Sequence, residues 1–118
     1  MKNYKDLKVW EKAHQATLLV YEITKKFPTD EKFNLISQIR RAATSIPTNI
    51  AEGCGKFTDK DFANFLQVSL GSTHEVEYLL LLSCDLGYLE KEQFNSLTKE
   101  ISEVKAMLIS LIKKVRTK

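Results

Sequence analysis

The strongest constraint on the fold is a series of apolar residues near the end of the chain that recurs in alternating steps of three and four. The series comprises Phe94, Leu97, Ile101, Val104, Leu108, Leu111 and Val115. Because an α-helix turns once every 3.6 residues, these side chains share one face. A repeat held this long is typical of a helix that packs along its whole length. The spacing predicts a helix over about 90–115.

Three earlier segments show helical periodicity as well, and the sequence predicts helices over about 6–26, 31–52 and 58–86. The first is expected to bury Leu7, Trp10, His14, Thr17, Leu18, Tyr21 and Thr24. The second is expected to bury Leu35, Ile39, Ala42, Ala43, Ile46 and Ile50. Pro28 limits the first helix, Thr58 resembles the cap of the third, and Gly87 is a natural residue after its end.

No segment alternates polar and apolar residues as a half-buried strand would. The predicted connections are short, so neighbouring helices run antiparallel. A chain of 118 residues forms one domain with a core of its own. The sequence therefore predicts an all-α fold, an antiparallel up-down-up-down four-helix bundle spanning residues 1–118.

The predicted third helix is apolar on two sides. One stripe contains Phe62, Leu66, Ser69, Thr73, Leu80 and Cys84, and the other contains Phe65, Val68, Val76, Leu79 and Leu82. A helix with two apolar sides needs two partners, and the second could be another subunit. The alternative is that both stripes form one broad core face.

The segment "SQIRRAATSIPTNIAEGCGK", residues 37–56, combines arginines, small residues, a proline and two glycines. It is no phosphate-binding loop, because Phe57 follows Gly55-Lys56 and a helix precedes it. Gly53 and Gly55 are expected to end the second helix. Pro47 is expected to distort it, with Ser45 and Thr48 bonding the freed backbone groups.

Arg40 and Arg41 have two interpretations. Folding the second helix along the third brings them near Glu75 and Glu77, which are candidate ion-pair partners within or between subunits. Alternatively, both arginines project outward to phosphates. The sequence favours ion pairing.

The predicted topology gathers lysines at one end of the bundle. This end contains the N-terminal segment, the second turn and the C-terminus, with Lys2, Lys5, Lys8, Lys12, Lys56, Lys60, Lys113, Lys114, Arg116 and Lys118. Such a surface could bind nucleic-acid phosphates without reading sequence. Tyr4 and Trp10 could stack on bases there, although Trp10 is expected in the core. The alternative is that the C-terminal lysines only complement a helix dipole.

Enzymatic and metal sites find no support in the residue pattern. Cys54 and Cys84 have no histidine nearby in sequence, and His74 does not face the adjacent Glu75 on a helix. We expect no cofactor, no metal and no catalytic residue. The absence of a long apolar run predicts no membrane contact and a cytoplasmic protein with reduced thiols.

Several blocks, "LKVWEKA", "SQIRRAATSIPTNIAEGCGK", "FLQVSLGSTHEVE" and "LGYL", resemble the four-helix bundle family encoded in intervening sequences of bacterial 23S ribosomal RNA genes. Members are often described as ribosomal or rRNA-associated proteins. The accessory variability determinant proteins of diversity-generating retroelements look like relatives. The residues that match the motifs are Arg40, Arg41, Pro47, Asn49, Glu52, Gly53, Gly55, Gly71, Ser72, Glu75 and Glu77.

The resemblance implies a ring-like homopentamer, and in the retroelement relatives a basic pentamer that binds nucleic acid and reverse transcriptase. It assigns no catalytic role to any motif residue. Together with the lysine-rich end, it predicts a non-enzymatic oligomer that binds RNA, with a ribosomal RNA or the ribosome as partner. The alternative is a protein–protein adaptor that makes no direct contact with nucleic acid.

Overall fold

The computed structural model describes residues 2–118, and four α-helices account for most of them. They are α1 (Lys8–Thr24), α2 (Leu35–Cys54), α3 (Asp59–Asp85) and α4 (Lys91–Arg116). Each helix packs against its two neighbours, with α4 closing back onto α1, and no strand occurs between residues 2 and 118. The predicted all-α four-helix bundle is confirmed.

Short 3₁₀ turns precede the first two helices and explain why both begin later than predicted. The first covers Tyr4–Asp6, where the side chain of Asn3 accepts a hydrogen bond from the Lys5 N–H. The second covers Thr29–Glu31, directly after Pro28. Helix α2 therefore begins at Leu35 instead of at residue 31.

The predicted caps of α3 are confirmed. The Thr58 hydroxyl accepts a hydrogen bond from the Asp61 N–H at 3.1 Å, which satisfies one of the free donors of the first turn. Gly87 follows the end of the helix with φ of +81°, the left-handed conformation that glycine adopts without steric cost.

The core is confirmed for α2 and shifts at one position of α4. All six residues of the predicted α2 stripe are buried. In α4 the buried series runs through Leu97, Ile101, Val104 and Leu108, but then includes Ile112 and leaves Leu111 half-buried. A straight helix drifts by about 20° per heptad relative to a 3.5-residue repeat, so the buried face moves by one residue near the end.

The predicted core face of α1 is confirmed at Thr17 and Thr24, which are buried, and wrong at Leu18 and Tyr21. Leu18 and Tyr21 are 51% and 41% exposed, whereas Val9, Ala13 and Val20 are buried. The prediction gave weight to the large side chains. The structure instead turns a narrow face of α1, with two buried alanines, towards the other helices, and this brings the backbones of α1 and α2 close together.

The two stripes of α3 do not form two separate apolar faces. Val76 and Leu79 of the second stripe are buried in the same core as Leu66 and Leu80. Phe65 and Leu82 are half-buried, and Val68 remains 53% exposed. Most of the second stripe is therefore a broad core face, and Val68 is its exposed residue.

Helix α2 continues through Pro47, and a side chain of α1 lies close to the carbonyl that the proline leaves without a donor. A proline lacks the N–H that would bond the carbonyl four residues earlier, which is that of Ala43. The Thr17 hydroxyl lies 3.2 Å from this carbonyl oxygen and 2.8 Å from that of Ala13. The expectation that Ser45 and Thr48 would bond the freed group is wrong.

Gly53 lies within α2 and does not end it. A Cβ atom on Gly53 would lie 2.9 Å from the Cβ of Phe65 and 3.1 Å from the ring of Phe62. The glycine therefore permits α2 and α3 to pack closely. Gly55 is the C-cap residue, with φ of −84°, and has no such crowding.

Candidate nucleic-acid interface

The N-terminal segment, the α2–α3 turn and the end of α4 meet at one end of the bundle. The Lys2 N–H donates to the Cys54 carbonyl at 3.0 Å, which ties the N-terminal segment to the end of α2. Lys60 at the start of α3 lines one groove together with Arg116 and Lys118. Lys8 and Lys114 line another groove between α1 and α4.

We call this surface the basic end. Its exposed cationic residues are Lys2, Lys5, Lys8, Lys56, Lys60, Lys113, Lys114, Arg116 and Lys118. Three of them lie over aromatic rings: Lys2 Nζ is 5.5 Å from the centre of the Phe62 ring, Lys5 Nζ is 5.9 Å from that of Tyr4, and Lys56 Nζ is 5.0 Å from that of Phe65. Such contacts keep the ammonium groups in place while leaving them accessible.

Lys12 is predicted to belong to this set, but it is paired with carboxylates. Its Nζ donates to Glu103 at 2.6 Å and lies 3.8 Å from Glu100. The hydrogen bond and the charge of Glu103 raise the pKa of Lys12, and the same hydrogen bond lowers the pKa of Glu103. Lys12 therefore joins α1 to α4 and is less available to an external phosphate than its neighbours.

The acidic residues at the basic end are Asp6, Glu11 and Glu52, together with Asp59 and Asp61 at the start of α3. Asp59 and Asp61 are exposed in its first turn, where their charges complement the helix dipole. The opposite end, which we call the acidic end, contains six acidic residues, Glu22, Asp30, Glu31, Asp85, Glu90 and Glu92, and four lysines, Lys25, Lys26, Lys32 and Lys91. The two ends of the molecule thus differ in the sign of their charge.

The aromatic rings predicted as possible base contacts pack against the protein. Tyr4 meets Trp10 edge-on at 4.9 Å, and Trp10 stacks on His14 with centres 5.1 Å apart and planes 6° apart. The aromatic ring that is free at the basic end is instead that of Phe57, which is 89% exposed. Sequence reasoning did not consider Phe57, although its place in a turn between two helices was a signal of exposure.

Four of the family-motif residues, Arg41, Asn49, Ser72 and Glu75, lie with Ser45 on a second surface along α2 and α3, which we call the motif face. Ser45 and Ser72 share a hydrogen bond of 2.8 Å, and Asn49 Nδ2 donates to the carbonyl and the hydroxyl of Ser45. Arg41 and Glu75 line the same open groove of about 530 Å³ next to them. The part of the motif face around Ser45 is therefore polar.

The two arginines point in different directions. Arg40 Nε donates to the Thr24 hydroxyl at 2.8 Å, and its guanidinium lies 4.7 Å from the centre of the Tyr21 ring. Arg40 therefore binds α1, and the expected pairing with Glu75 or Glu77 is wrong for this residue within one subunit. Arg41 is exposed and makes no ion pair among residues 2–118.

Glu77 also differs from its prediction. Both of its carboxylate oxygens accept hydrogen bonds from Lys105 Nζ of α4 at 3.0 Å, and His74 Nδ1 lies 3.9 Å away. The pair connects α3 with α4. Glu75 and Glu77 were expected to share a role. In the structure, Glu77 contacts α4, whereas Glu75 lines a groove with Arg41 of α2.

Gly71 and Glu52 are exposed, and the chain itself gives no packing reason for the glycine. A Cβ atom added to Gly71 would have no other atom within 4 Å. A glycine in an exposed helix interior costs about 1 kcal/mol relative to alanine. Val68 and Tyr78, 53% and 59% exposed, lie one and two turns away on neighbouring positions of the same helix.

The residues considered for chemistry do not come together. Among residues 2–118, no three His, Cys, Asp or Glu side chains are close enough to hold a metal ion. Cys54 is buried, and desolvation raises the pKa of its thiol, which disfavours the reactive thiolate. Within the same residues, no helix combines the length and the apolar character that a membrane span requires.

Comparisons with known proteins agree with the fold and the motifs. The family model described as 23S rRNA-intervening sequence protein matches residues 5–110. A crystal structure of a protein with unknown function from the S23 ribosomal protein family of Bacteroides thetaiotaomicron VPI-5482 is similar, with a TM-score of 0.83 and 32% sequence identity. The similarity covers 89% of this chain and 95% of that chain. A comparison with curated protein sequences gives no match.

Proposed function

The chain belongs to the family of 23S rRNA-intervening sequence proteins, and on this premise we propose that it is a non-enzymatic homo-oligomer that binds RNA through its basic end. The RNA partner that the family suggests is ribosomal. The observation that carries the proposal is the concentration of exposed lysine and arginine side chains at one end of the bundle.

The basic end suits a backbone-directed contact. Its ammonium groups come from four separate parts of the chain, so they spread over a surface instead of lining one pocket. Lysine binds phosphate as a point charge, and each phosphate that it neutralises releases counterions into solution. We therefore expect binding that depends on salt and discriminates little between sequences.

Self-association would multiply this surface. Gly71, Val68 and Tyr78 form the part of α3 that the subunit leaves exposed without an internal reason. A second copy packed there would cover the apolar side chains and approach the glycine closely. We propose a ring, pentameric as in the retroelement accessory proteins that the sequence resembles, with the basic ends on one side.

A catalytic function has no support in the geometry. The two histidines are apart, with His14 stacked on Trp10 and His74 exposed beside Glu77. The buried thiol of Cys54 has no hydrogen-bonded base among residues 2–118, and the groove beside Arg41 is wide and open. We therefore propose binding without chemistry.

A gel-shift titration with a structured ribosomal RNA fragment at several salt concentrations tests the RNA proposal. We expect the affinity to fall as salt rises and to fall further in the variant Lys113→Gln/Lys114→Gln/Arg116→Gln. The matched control is Lys26→Gln/Lys32→Gln/Lys91→Gln at the acidic end, which removes as much charge and should bind like the wild type. Absence of a shift at low salt would refute RNA binding.

The adaptor alternative is an outcome of the same experiment. If RNA fails to bind but affinity capture after nuclease treatment enriches a defined protein, the bundle would be an interaction module. The oligomer is tested by light scattering at micromolar concentration. A mass near 13.5 kDa, that of a single chain, would refute self-association.

A further inference from the structure

The most exposed aromatic residue at the basic end is Phe57, and its environment suggests a specific role that rests on the RNA binding proposed above. Of the six phenylalanines in the chain, Phe27 and Phe62 are buried in the core. Only Phe33 and Phe57 are 89% exposed. Packing within the subunit therefore gives no reason for a phenylalanine at either of these two positions.

The position of Phe57 places a ring among cations. It lies in the turn between α2 and α3, directly after Lys56 and three residues before Lys60. Lys60 in turn shares a groove with Arg116 and Lys118 at the end of α4. Lys56 Nζ is held over the ring of Phe65 and so leaves the ring of Phe57 uncovered.

We propose that Phe57 stacks on an unpaired base of an RNA whose backbone the surrounding lysines and Arg116 hold. Aromatic side chains next to a positively charged surface are the usual means by which proteins bind single-stranded nucleic acid without sequence preference. Bases inside an A-form duplex are already stacked and their faces are covered. The ligand is therefore RNA with a single-stranded loop, bulge or end.

The charge of the neighbourhood favours RNA over a protein partner. An apolar protein surface gains little from a single ring in a field of lysines, whereas a nucleotide offers a stacking face and a phosphate together. Asp59 and Asp61 limit the path of the strand, because their carboxylates repel phosphates at the start of α3. The strand should pass on the side of Lys2 and Lys56 or over Lys60 and Arg116.

The test uses the full chain and a hairpin RNA with 2-aminopurine in its loop, together with a blunt duplex of the same stem. Stacking on Phe57 should quench the 2-aminopurine fluorescence on binding. Phe57→Ala should abolish this quenching and weaken hairpin binding by roughly 5- to 150-fold, the range measured for one aromatic–base stack. Its affinity for the duplex should stay that of the wild type.

Phe33→Ala is the matched control. Phe33 is equally exposed and, like Phe57, directly follows a lysine, but it lies at the acidic end. Unlike Phe57, it has that lysine over its ring, with Lys32 Nζ 5.5 Å from the centre. This variant should leave hairpin binding unchanged. Phe57→Tyr should retain quenching, whereas Phe57→Leu, which keeps an apolar side chain without a ring, should lose it.

The outcomes separate this inference from the function on which it rests. If the wild type binds the hairpin in a salt-dependent way but Phe57→Ala binds equally well, the stacking role is wrong and RNA binding stands. If the wild type binds neither RNA, both proposals fail. Equal losses with hairpin and duplex would also overturn the stacking role, because a duplex offers no free base.

Discussion

The Thr17 hydroxyl of α1 lies 3.2 Å from the Ala43 carbonyl of α2, the group that Pro47 leaves without its helical partner. The single proton of this hydroxyl is shared with the nearer Ala13 carbonyl at 2.8 Å, so a threonine on one helix partly compensates for a proline on another. We expect Thr17→Val to lower the free energy of unfolding by about 1–3 kcal/mol, the cost of leaving a buried polar group unsatisfied. Urea denaturation measures it.

A double-mutant cycle with Pro47→Ala provides the control for this pair. Alanine at position 47 restores an N–H for the Ala43 carbonyl, so Thr17→Val should cost less in that background than in the wild type. Additive effects would show that the hydroxyl does not compensate for the proline.

Prediction from sequence succeeded where one side chain type dominates a face and failed where small or polar residues decide the packing. The isoleucines of α2 and the seam of α4 identified their own core positions, from Ile39 to Leu108. Part of the α1 face was missed, because its buried alanines, Ala13 and Ala16, carry little weight in a periodicity argument. These alanines allow the backbones of α1 and α2 to approach closely, and this effect depends on the position of α2 as well as on the sequence of α1.

The candidate site shows the same division. Chain order and helix direction were enough to place the lysines at one end, since the topology follows from short connections. They could not show that Lys12 pairs with Glu103 or that Arg40 contacts Tyr21. Adjacent residues such as Arg40 and Arg41 point about 100° apart on a helix, so they can face different neighbouring helices. The partner of each charged side chain depends on which neighbouring helix it faces.

Gly53 and Gly55 should respond differently to the same substitution. Gly53→Ala places a Cβ 2.9 Å from the Cβ of Phe65, and overpacking of this kind costs about 1–3 kcal/mol, which exceeds the gain of about 1 kcal/mol in helix propensity. Gly55→Ala meets only an ordinary contact of 3.4 Å and should be nearly neutral. Equal melting temperatures for the two variants would contradict the close packing of α2 and α3.

Gly71→Ala separates the folding of the subunit from its assembly. Within one chain the new methyl group meets nothing, so the subunit should gain about 0.5–1 kcal/mol. If copies pack along this part of α3, the methyl group should weaken the oligomer and raise the monomer fraction in light scattering. Ser102→Ala, at an exposed position of α4, is the control that changes propensity without changing mass. An unchanged mass for Gly71→Ala would place the subunit contact elsewhere.

The pair of Lys12 and Glu103 predicts a pH dependence of stability. Because Lys12 lowers the pKa of Glu103 in the folded state, its contribution is present above the ordinary value of 4.5 and is lost as the pH falls through the lowered value. The raised pKa of Lys12 acts in the opposite direction, so its contribution is present below 10.5 and is lost as the pH rises through the raised value.

We therefore expect Lys12→Met to lose less stability on acidification than the wild type, with a small effect because the pair is exposed to solvent. Thermal unfolding at a series of pH values checks it. Lys26→Met, which removes an exposed lysine at the acidic end, should keep the wild-type profile. A wild-type acid profile in Lys12→Met would show that the pair is not formed in solution.

The salt dependence of RNA binding should distinguish free lysines from paired ones. For a single-stranded or double-stranded ligand, each neutralised phosphate contributes about 0.7–0.9 to the slope of log affinity against log salt. Lys114→Gln removes an exposed ammonium group of the basic end and should reduce the slope by about that amount for each phosphate that is no longer neutralised. Lys12→Gln should change it less, because Glu103 holds its Nζ at 2.6 Å. Equal reductions for the two variants would mean that Lys12 breaks its pair with Glu103 and contacts the RNA phosphates.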